Sequence, residues 1–373
     1  MQFIIAIAIA LFIYAFQKRL YIRMWKKKLD IDISLQDTYV EEGDKSSIVE
    51  IINNAKFLPL PVLHVKFSTD RSFLFEDCEN ATVTDMYHRN DVFSVMGNQK
   101  ITRRLNFVAT KRGFYNIGNI NIVGKDFFMT KSYAENVKCD SWMYVFPKKY
   151  NSEPFDLMCD SVIGEIETKR SLYEDPFSFR GIREYQLFDS MGSINWRATA
   201  KLGNLMVNQY NYTTEQRVKI LLNLDTDTMI KREHMREVSI RLASSVAKAI
   251  LEKSMPVMIA SNGYDVINKT MGAVDYGMAR NHLNTIDRYL ARIGDCGDVD
   301  EFFKILNKDI TNPTEGVAYL IVSSYCKEDL LLKLDYMVSK GISVAIVVPH
   351  YDIQEFSPAR RYIRGWEVKL YET

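Results

Sequence analysis

Between Arg217 and Asp225 the chain reads RVKILLNLD, an apolar run that ends on an acid. A strand apolar at successive positions has no polar face to offer water. Both of its faces must be covered, which is the situation of a parallel strand lying under helices. Its carboxyl end is then the edge at which open α/β sheets bind ligands. The same grammar recurs downstream. Pro256–Ala260, Val317–Val322 and Ile342–Val348 are further short apolar runs. Between them, Arg232–Lys253 carries Met235, Val238, Leu242, Val246 and Ile250 at helical spacing. Asp275–Ile293, Val299–Leu306 and Lys327–Ser339 also read as helices, the last closed by Gly341. This alternation predicts an α/β domain over residues 151–373 with a mostly parallel sheet covered on both faces.

Residues 29–150 follow a different rule. Ile31–Leu35 alternates apolar and polar, Glu42-Gly43-Asp44 is a turn, and Ser47–Ile51 alternates again. Asn53-Asn54 marks a second turn. Val62–Phe67, Ile101–Val108 and Ile117–Val123 are further strand candidates, and Lys111–Tyr115 reads as a turn feeding a strand. Short strands with regular turn signals predict an antiparallel β-sandwich of roughly seven strands.

Ahead of both lies Phe3–Phe16, FIIAIAIALFIYAF, without a charge. At ~1.5 Å per residue it is short for a ~30 Å hydrocarbon core. Continuation through Leu20, Tyr21, Ile22, Met24 and Trp25 supplies the length if Lys18 and Arg19 snorkel, with Tyr21 and Trp25 in the interfacial belt. A core helix would show a polar face, which this run lacks. A signal peptide would carry its positive charge in front. An interfacial anchor that never crosses is the alternative reading. Residues 1–28 are thus expected to be a membrane anchor with a basic juxtamembrane segment. The positive residues follow the apolar run, which predicts a single-pass protein of the cell membrane with its bulk in the cytoplasm.

Net charge is +1, and residues 18–28 carry six basic side chains with no acid before Asp30, which leaves residues 29–373 at −5. A mildly acidic body argues against nucleic acid as the partner. Five cysteines, Cys78, Cys139, Cys159, Cys296 and Cys326, are scattered without metal-ligand or disulfide spacing. No phosphate-binding glycine motif is present, so ATP hydrolysis would fall to a partner. The histidines are isolated from one another; a cysteine nucleophile at Cys159 is the one enzymatic reading left open.

One stretch matches a known pattern. It comprises Phe179-Arg180-Gly181-Ile182-Arg183-Glu184-Tyr185, Asp189, Ile194–Lys201 with Asn195, Trp196 and Arg197, then Leu205-Met206-Val207 and Leu224-Asp225-Thr226. In order and spacing it resembles the bacterial family catalogued as domain of unknown function 58. Val40–Gly43, Leu58–Pro61 and Arg112–Tyr115 resemble that family's immunoglobulin-like region, so the resemblance spans nearly the whole chain. There are departures. Phe188 stands for a glycine, Gly192 for an arginine, Thr199 for serine and Lys201 for arginine, and one membrane helix is visible where two are common.

The resemblance implies an immunoglobulin-like β-sandwich followed by a von Willebrand A-like, Rossmann-type domain. It also implies partnership with MoxR-type AAA+ ATPases and no established enzymatic activity. Such domains often hold a divalent ion through D-x-S-x-S after the first strand; the corresponding positions are Asp225, Asp227 and Met229. Mg²⁺ takes hard oxygen ligands, and the Met229 thioether is a poor one. The preferred expectation is a hydrogen-bonded turn, with a metal site at Asp225 and Asp227 as the alternative. Arg180, Arg183, Arg197 and Lys201 either form a basic patch for an acidic partner or pair internally, with Arg183 or Arg197 holding Asp189. Gly181 and Tyr185 belong to the same motif. Trp196 is read as a core or hinge aromatic. The functional expectation is a non-enzymatic, membrane-anchored adaptor that contacts, at its Asp225 edge, an ATPase acting on envelope or membrane proteins. A divalent-metal-dependent protein-binding module and an unrecognised hydrolase are the alternatives.

Overall fold

The uncharged N-terminal run forms helix α1 (Gln2–Met24), long and apolar enough to cross a membrane. In the computed structural model the described residues are 2–76, 81–170, 179–186, 189–210, 217–225, 232–314, 316–352, 357 and 360–369. The chain divides into two units, Met1–Lys148 and Lys149–Thr373, close to the expected break after residue 150.

In the first unit α1 leads into ten strands among the described residues. They are β1 (Leu29–Leu35), β2 (Tyr39–Glu41), β3 (Lys45–Asn54), β4 (Leu60–Asp70), β5 (Phe73–Phe75), β6 (Ala81–Val83), β7 (Met86–Val95), β8 (Gln99–Ala109), β9 (Gly113–Lys125) and β10 (Ser132–Phe146). One sheet has the order β1-β3-β8-β5 and the other β2-β10-β9-β4-β7-β6. Pairing is antiparallel except between β2 and β10. The architecture fits an immunoglobulin-like β-sandwich. Tyr115 donates its hydroxyl proton back to Lys111 O at 2.8 Å, fixing the turn that feeds β9. The strand count exceeds the expected seven because β2, β5 and β6 are too short to show a period, and β7 places charged residues on its inner face.

Two expectations for α1 need correction. Tyr21 and Trp25 are not interfacial; they are 2% and 8% exposed and belong to the sandwich core. Tyr21 donates to Pro59 O at 2.7 Å, and Trp25 stacks on Tyr133 at 5.8 Å between ring centres. Lys26 pairs with Glu135. The last turns of α1 are therefore part of the sandwich, and the anchor is not a separate body ending at residue 28.

The second unit contains α2 (Glu153–Arg170), β11 (Phe179–Glu184), α3 (Trp196–Leu202), β12 (Met206–Tyr210), β13 (Arg217–Asn223), α4 (Arg232–Glu252), β14 (Val257–Asp265), β15 (Met271–Gly277), α5 (Arg280–Ala291), β16 (Ile293–Cys296), α6 (Val299–Thr311), β17 (Val317–Ser323), α7 (Glu328–Ser339), β18 (Ser343–Tyr351) and β19 (Ile363–Val368). The main sheet runs β15-β14-β13-β17-β18-β19, with β16 on β14. β14, β13, β17, β18 and β19 are parallel, and β15 is an antiparallel edge. Val218, Ile220 and Leu222 pack under α2, α4 and α5, whereas Leu221, Tyr319 and Ile321 pack under α6 and α7. Two-sided burial is what the continuous apolar runs require. All five expected apolar positions of α4 are buried. Asp275–Gly277, expected to begin a helix, instead ends β15, whose exposure alternates as an edge strand's does. After α7, Gly341 takes φ +79° and lets Ile342 N close on Met337 O at 3.1 Å.

An ionic cluster lies inside the sandwich. Arg89 makes a two-pronged pair with Asp91 (3.0 and 3.1 Å), Arg103 joins Asp91 at 2.9 Å, and Arg89 covers the Phe75 ring. Glu50, opposite Arg103 on β3, is 1% exposed, and among the described residues neither of its carboxylate oxygens accepts a hydrogen bond. Burial first, then the Asp91 charge, push the Glu50 carboxyl up to about 7, against the pull of Arg103 and Arg89. A raised carboxyl binds its proton more tightly in the folded state. Its stabilising effect is complete below the ordinary carboxylate range and is lost as pH rises through about 7. Glu50→Gln should therefore be more stable than wild type at pH 8 by on the order of 2 kcal/mol. The gap should close by pH 5, as read from denaturant unfolding of the full chain in detergent at both pH values. A gap independent of pH would show that Glu50 does not titrate in this window.

Candidate functional site

Two places concentrate the sequence-predicted residues: the carboxyl edge of the parallel sheet and the motif segment 179–210. Numbered from β13 with β16, which pairs only with β14, left out, the sheet order is 3-2-1-4-5-6 with strand 3 antiparallel, so the chain changes winding direction between β13 and β17. Asn223 and Ser323 are register partners at the carboxyl ends of those two strands. Both are fully buried, as is Asn262 on β14.

These three side chains satisfy one another. Asn223 donates from Nδ2 to Ser323 Oγ at 3.0 Å, and its Oδ1 accepts from Asn262 Nδ2 at 2.9 Å and from Asp225 N at 3.1 Å. Asn262 Oδ1 accepts from Leu224 N at 2.9 Å, while its Nδ2 lies 3.2 Å from Gly297 O and 3.1 Å from Asp298 O. Ser323 Oγ donates to Tyr325 O at 2.9 Å. The crevice where doubly wound sheets usually take a ligand is here closed by protein groups that hold the strand-end loops in place. Around it, Asp298 caps α6 through Glu301 N (3.0 Å), Tyr264 donates to Glu301 (2.6 Å) and Tyr325 donates to Asp329 (2.6 Å).

Asp225 sits half-buried just after β13. Asp227, Met229 and Thr226 lie outside the described residues. Among the described residues no group of three His, Cys, Asp or Glu side chains could hold a metal ion. The Ser323 hydroxyl and the Asn223 and Asn262 amide oxygens at the described strand ends are engaged with protein partners. The described residues therefore do not make a set for Mg²⁺. Sequence reasoning missed this network, although Asn223, Asn262 and Ser323 each stand out as a polar residue closing an apolar run.

The motif segment folds as a small unit of its own. β11 pairs antiparallel with β12, with a register shift between Phe179 and Gly181. Arg183 grips Asp189 with two 2.6 Å bonds, and Gln186 N adds a third to the same carboxylate at 2.8 Å. The Arg183 bonds hold the Asp189 carboxyl below its ordinary range. The internal pairing expected for Arg183 is thus present. Asn195 caps α3 by accepting from Ala198 N at 2.9 Å and ties it to β12 through Asn208 Oδ1 at 2.7 Å. Thr199 accepts from Met206 N at 3.0 Å. Tyr185 is half-buried. The Arg180 side chain and Phe188 lie outside the described residues.

Trp196 is not a core aromatic. It is 66% exposed at the start of α3. Arg197 and Lys201, both exposed, are one helical turn apart on the same short helix. Cys159, on α2, packs in the core facing α4, and burial pushes its thiol up to about 12, which keeps it protonated.

Replacing Asn262 with Leu removes the acceptor for Leu224 N and the donor for two loop carbonyls. Asn262→Leu should lower the stability of the α/β unit by about 3 kcal/mol, read as a shifted unfolding midpoint of the full chain. An unchanged midpoint would mean that the amide network contributes nothing to holding the edge.

No family model matches the chain, and no curated protein matches it. Among solved structures, a non-cellulosomal cohesin from Archaeoglobus fulgidus is 13% identical, with 34% of this chain and 96% of that one covered and a TM-score of 0.21. A type II cohesin domain from Acetivibrio cellulolyticus is 9% identical over 32% and 95%, with a TM-score of 0.23. A CARDB domain from Pyrococcus furiosus is 13% identical over 30% and 94%, with a TM-score of 0.19. Likeness of this degree carries no argument about what the chain does.

Proposed function

We propose that the chain is a non-enzymatic, membrane-anchored adaptor of the domain of unknown function 58 type, and that its α/β unit is a von Willebrand A-like domain. The strand order 3-2-1-4-5-6 supports the Rossmann-type reading. The six basic residues after the apolar run support an N-terminus outside the cell and a cytoplasmic body. The partner is an AAA+ ATPase of the MoxR type, acting on envelope or membrane proteins.

One observation carries the adaptor reading. α3 is capped, tied to β12 and adjoined by the Arg183–Asp189 pair, yet it presents Trp196 to solvent, with Arg197 and Lys201 exposed on other faces of the same short helix. Trp196 is one of several large apolar side chains exposed in this small segment, with Phe179, Met191, Leu202 and Leu205, and accumulated apolar surface marks an interaction site. Tryptophan and arginine dominate the energetics of protein interfaces, and the exposed cations of α3 suit an acidic partner surface. We place the contact on α3 in preference to the Asp225 edge, where the described Asn223, Asn262 and Ser323 side chains bond one another.

The test is affinity purification of the tagged full chain from detergent-solubilised membranes, followed by mass spectrometry. An AAA+ ATPase should be recovered with wild type and about tenfold less with Trp196→Ala. The unfolding midpoint should stay unchanged, because the ring is exposed. Equal recovery would move the contact off α3, and absence of any ATPase from both samples would remove the partner.

A further inference from the structure

We propose that the end of the β-sandwich from which α1 emerges is a bilayer-docking surface, and that its loop tips seat in the interfacial zone of the membrane α1 enters. The inference rests on reading α1 as membrane-spanning.

Strand register sets which loops share that end. β1 begins at Leu29 opposite Asn54, the end of β3; Asn54 faces Gln99, the start of β8. β4 begins at Leu60 opposite Val95, and Val62 faces Lys125, the end of β9. The β3–β4, β7–β8 and β9–β10 loops therefore surround the foot of α1. Each carries large apolar side chains in solvent: Phe57 in the first (89% exposed), Met96 in the second, and Phe127, Phe128 and Met129 in the third. At the opposite end the exposed groups of three tips are polar or charged, as Asp44, Arg71 and Lys111 show, and the apolar Val83 and Met86 flank a fourth turn without an exposed aromatic. An apolar end facing a charged end is the polarity of a domain resting on a membrane.

The third loop is built to hold its aromatics out. Asp126, fully buried, accepts from Thr130 N at 2.6 Å, Thr130 Oγ1 at 2.7 Å and Lys131 N at 3.0 Å. Met129 takes the left-handed φ of +55°. Gln17 of α1 donates to the same Asp126 carboxylate at 3.1 Å, and Phe128 lies 6.3 Å from the Tyr14 ring. The tip thus sits level with the last turns of the exposed apolar stretch, where Lys18 lies over Tyr14.

Length points the same way. Tyr21 and Trp25 are committed to the sandwich, so the lipid-facing stretch is essentially Phe3–Phe16, about 21 Å of helix against a ~30 Å core. A short span is accommodated when flanking groups are drawn down to the hydrocarbon boundary. The apolar tips are the flanking groups, and Lys27, Lys28 and Lys131 stand among them to meet anionic headgroups.

The full chain is reconstituted in vesicles of zwitterionic and anionic lipid, with single cysteines introduced and labelled with an environment-sensitive fluorophore. The variants are Ile7→Cys, Phe57→Cys, Phe128→Cys and Lys111→Cys, and background from wild type is subtracted. The quencher is a nitroxide near the headgroup end of the acyl chain. The Phe57 and Phe128 sites should be quenched about twofold or more relative to the Lys111 site. Quenching at Ile7 without quenching at Phe57 and Phe128 would overturn the docking surface and leave the anchor standing. Absence of quenching at Ile7 as well would remove both. Equal quenching in purely zwitterionic vesicles would assign the docking to apolar insertion, and loss there would assign it to the lysines; either supports the surface.

Discussion

Burial of Tyr21 and Trp25 divides one helix between two surroundings. The first turns of α1 expose apolar side chains on every side, while the last turns present aromatics to the inner space of a β-sandwich. The helix cannot be withdrawn from the domain without opening its core. A tyrosine hydroxyl bonded to Pro59 O and an indole stacked on Tyr133 then define where the loops of that end stand. The Asp126 carboxylate, shared between Gln17 and its own loop, extends the same joint outward. The first unit is organised around this junction more than around its sheets.

In the α/β unit the governing constraint is polar satisfaction at the ends of buried strands. A strand covered on both faces carries its last residues into a place where water does not reach, so the amides there need partners. Asn223, Asn262 and Ser323 supply them across three adjacent strands. The described part of the fold's usual binding crevice becomes a structural joint, while the motif segment keeps an exposed tryptophan on a capped helix.

Much of this was legible in the residues. Continuous apolar runs announced two-sided burial, and the spacing from Met235 to Ile250 announced the buried face of α4. α2 went unread, although Phe155, Cys159, Val162, Ile163 and Ile166 recur at helical spacing and place Cys159 in a buried stripe. Glu50 shows a different failure. Alternation with Ile48 and Ile52 places it on the inner face, but a carboxylate at such a position reads as a surface residue unless its partners are known. The charges that act on it are Asp91, which repels it, and Arg89, both from β7 on the facing sheet, and Arg103 from the neighbouring β8. Trp196 was misread because aromatic character predicts burial on average, whereas its exposure depends on the packing of a seven-residue helix. Tyr21 and Trp25 were misread for the converse reason: near a lipid-facing helix, aromatic residues suit both an interface and a protein core.

The turn from α1 to β1 has a mechanical consequence. Trp25 N bonds to Tyr21 O, Lys27 N to Met24 O and Leu29 N to Lys26 O, so there is no slack between helix and first strand. A flexible tether would let the sandwich sample many attitudes; this one acts as a crankshaft. Rotation of α1 about its axis would turn the sandwich through the same angle, and tilting it would swing the far end of the sandwich. Any neighbour that grips the exposed part of the helix would thereby set which sandwich face is presented.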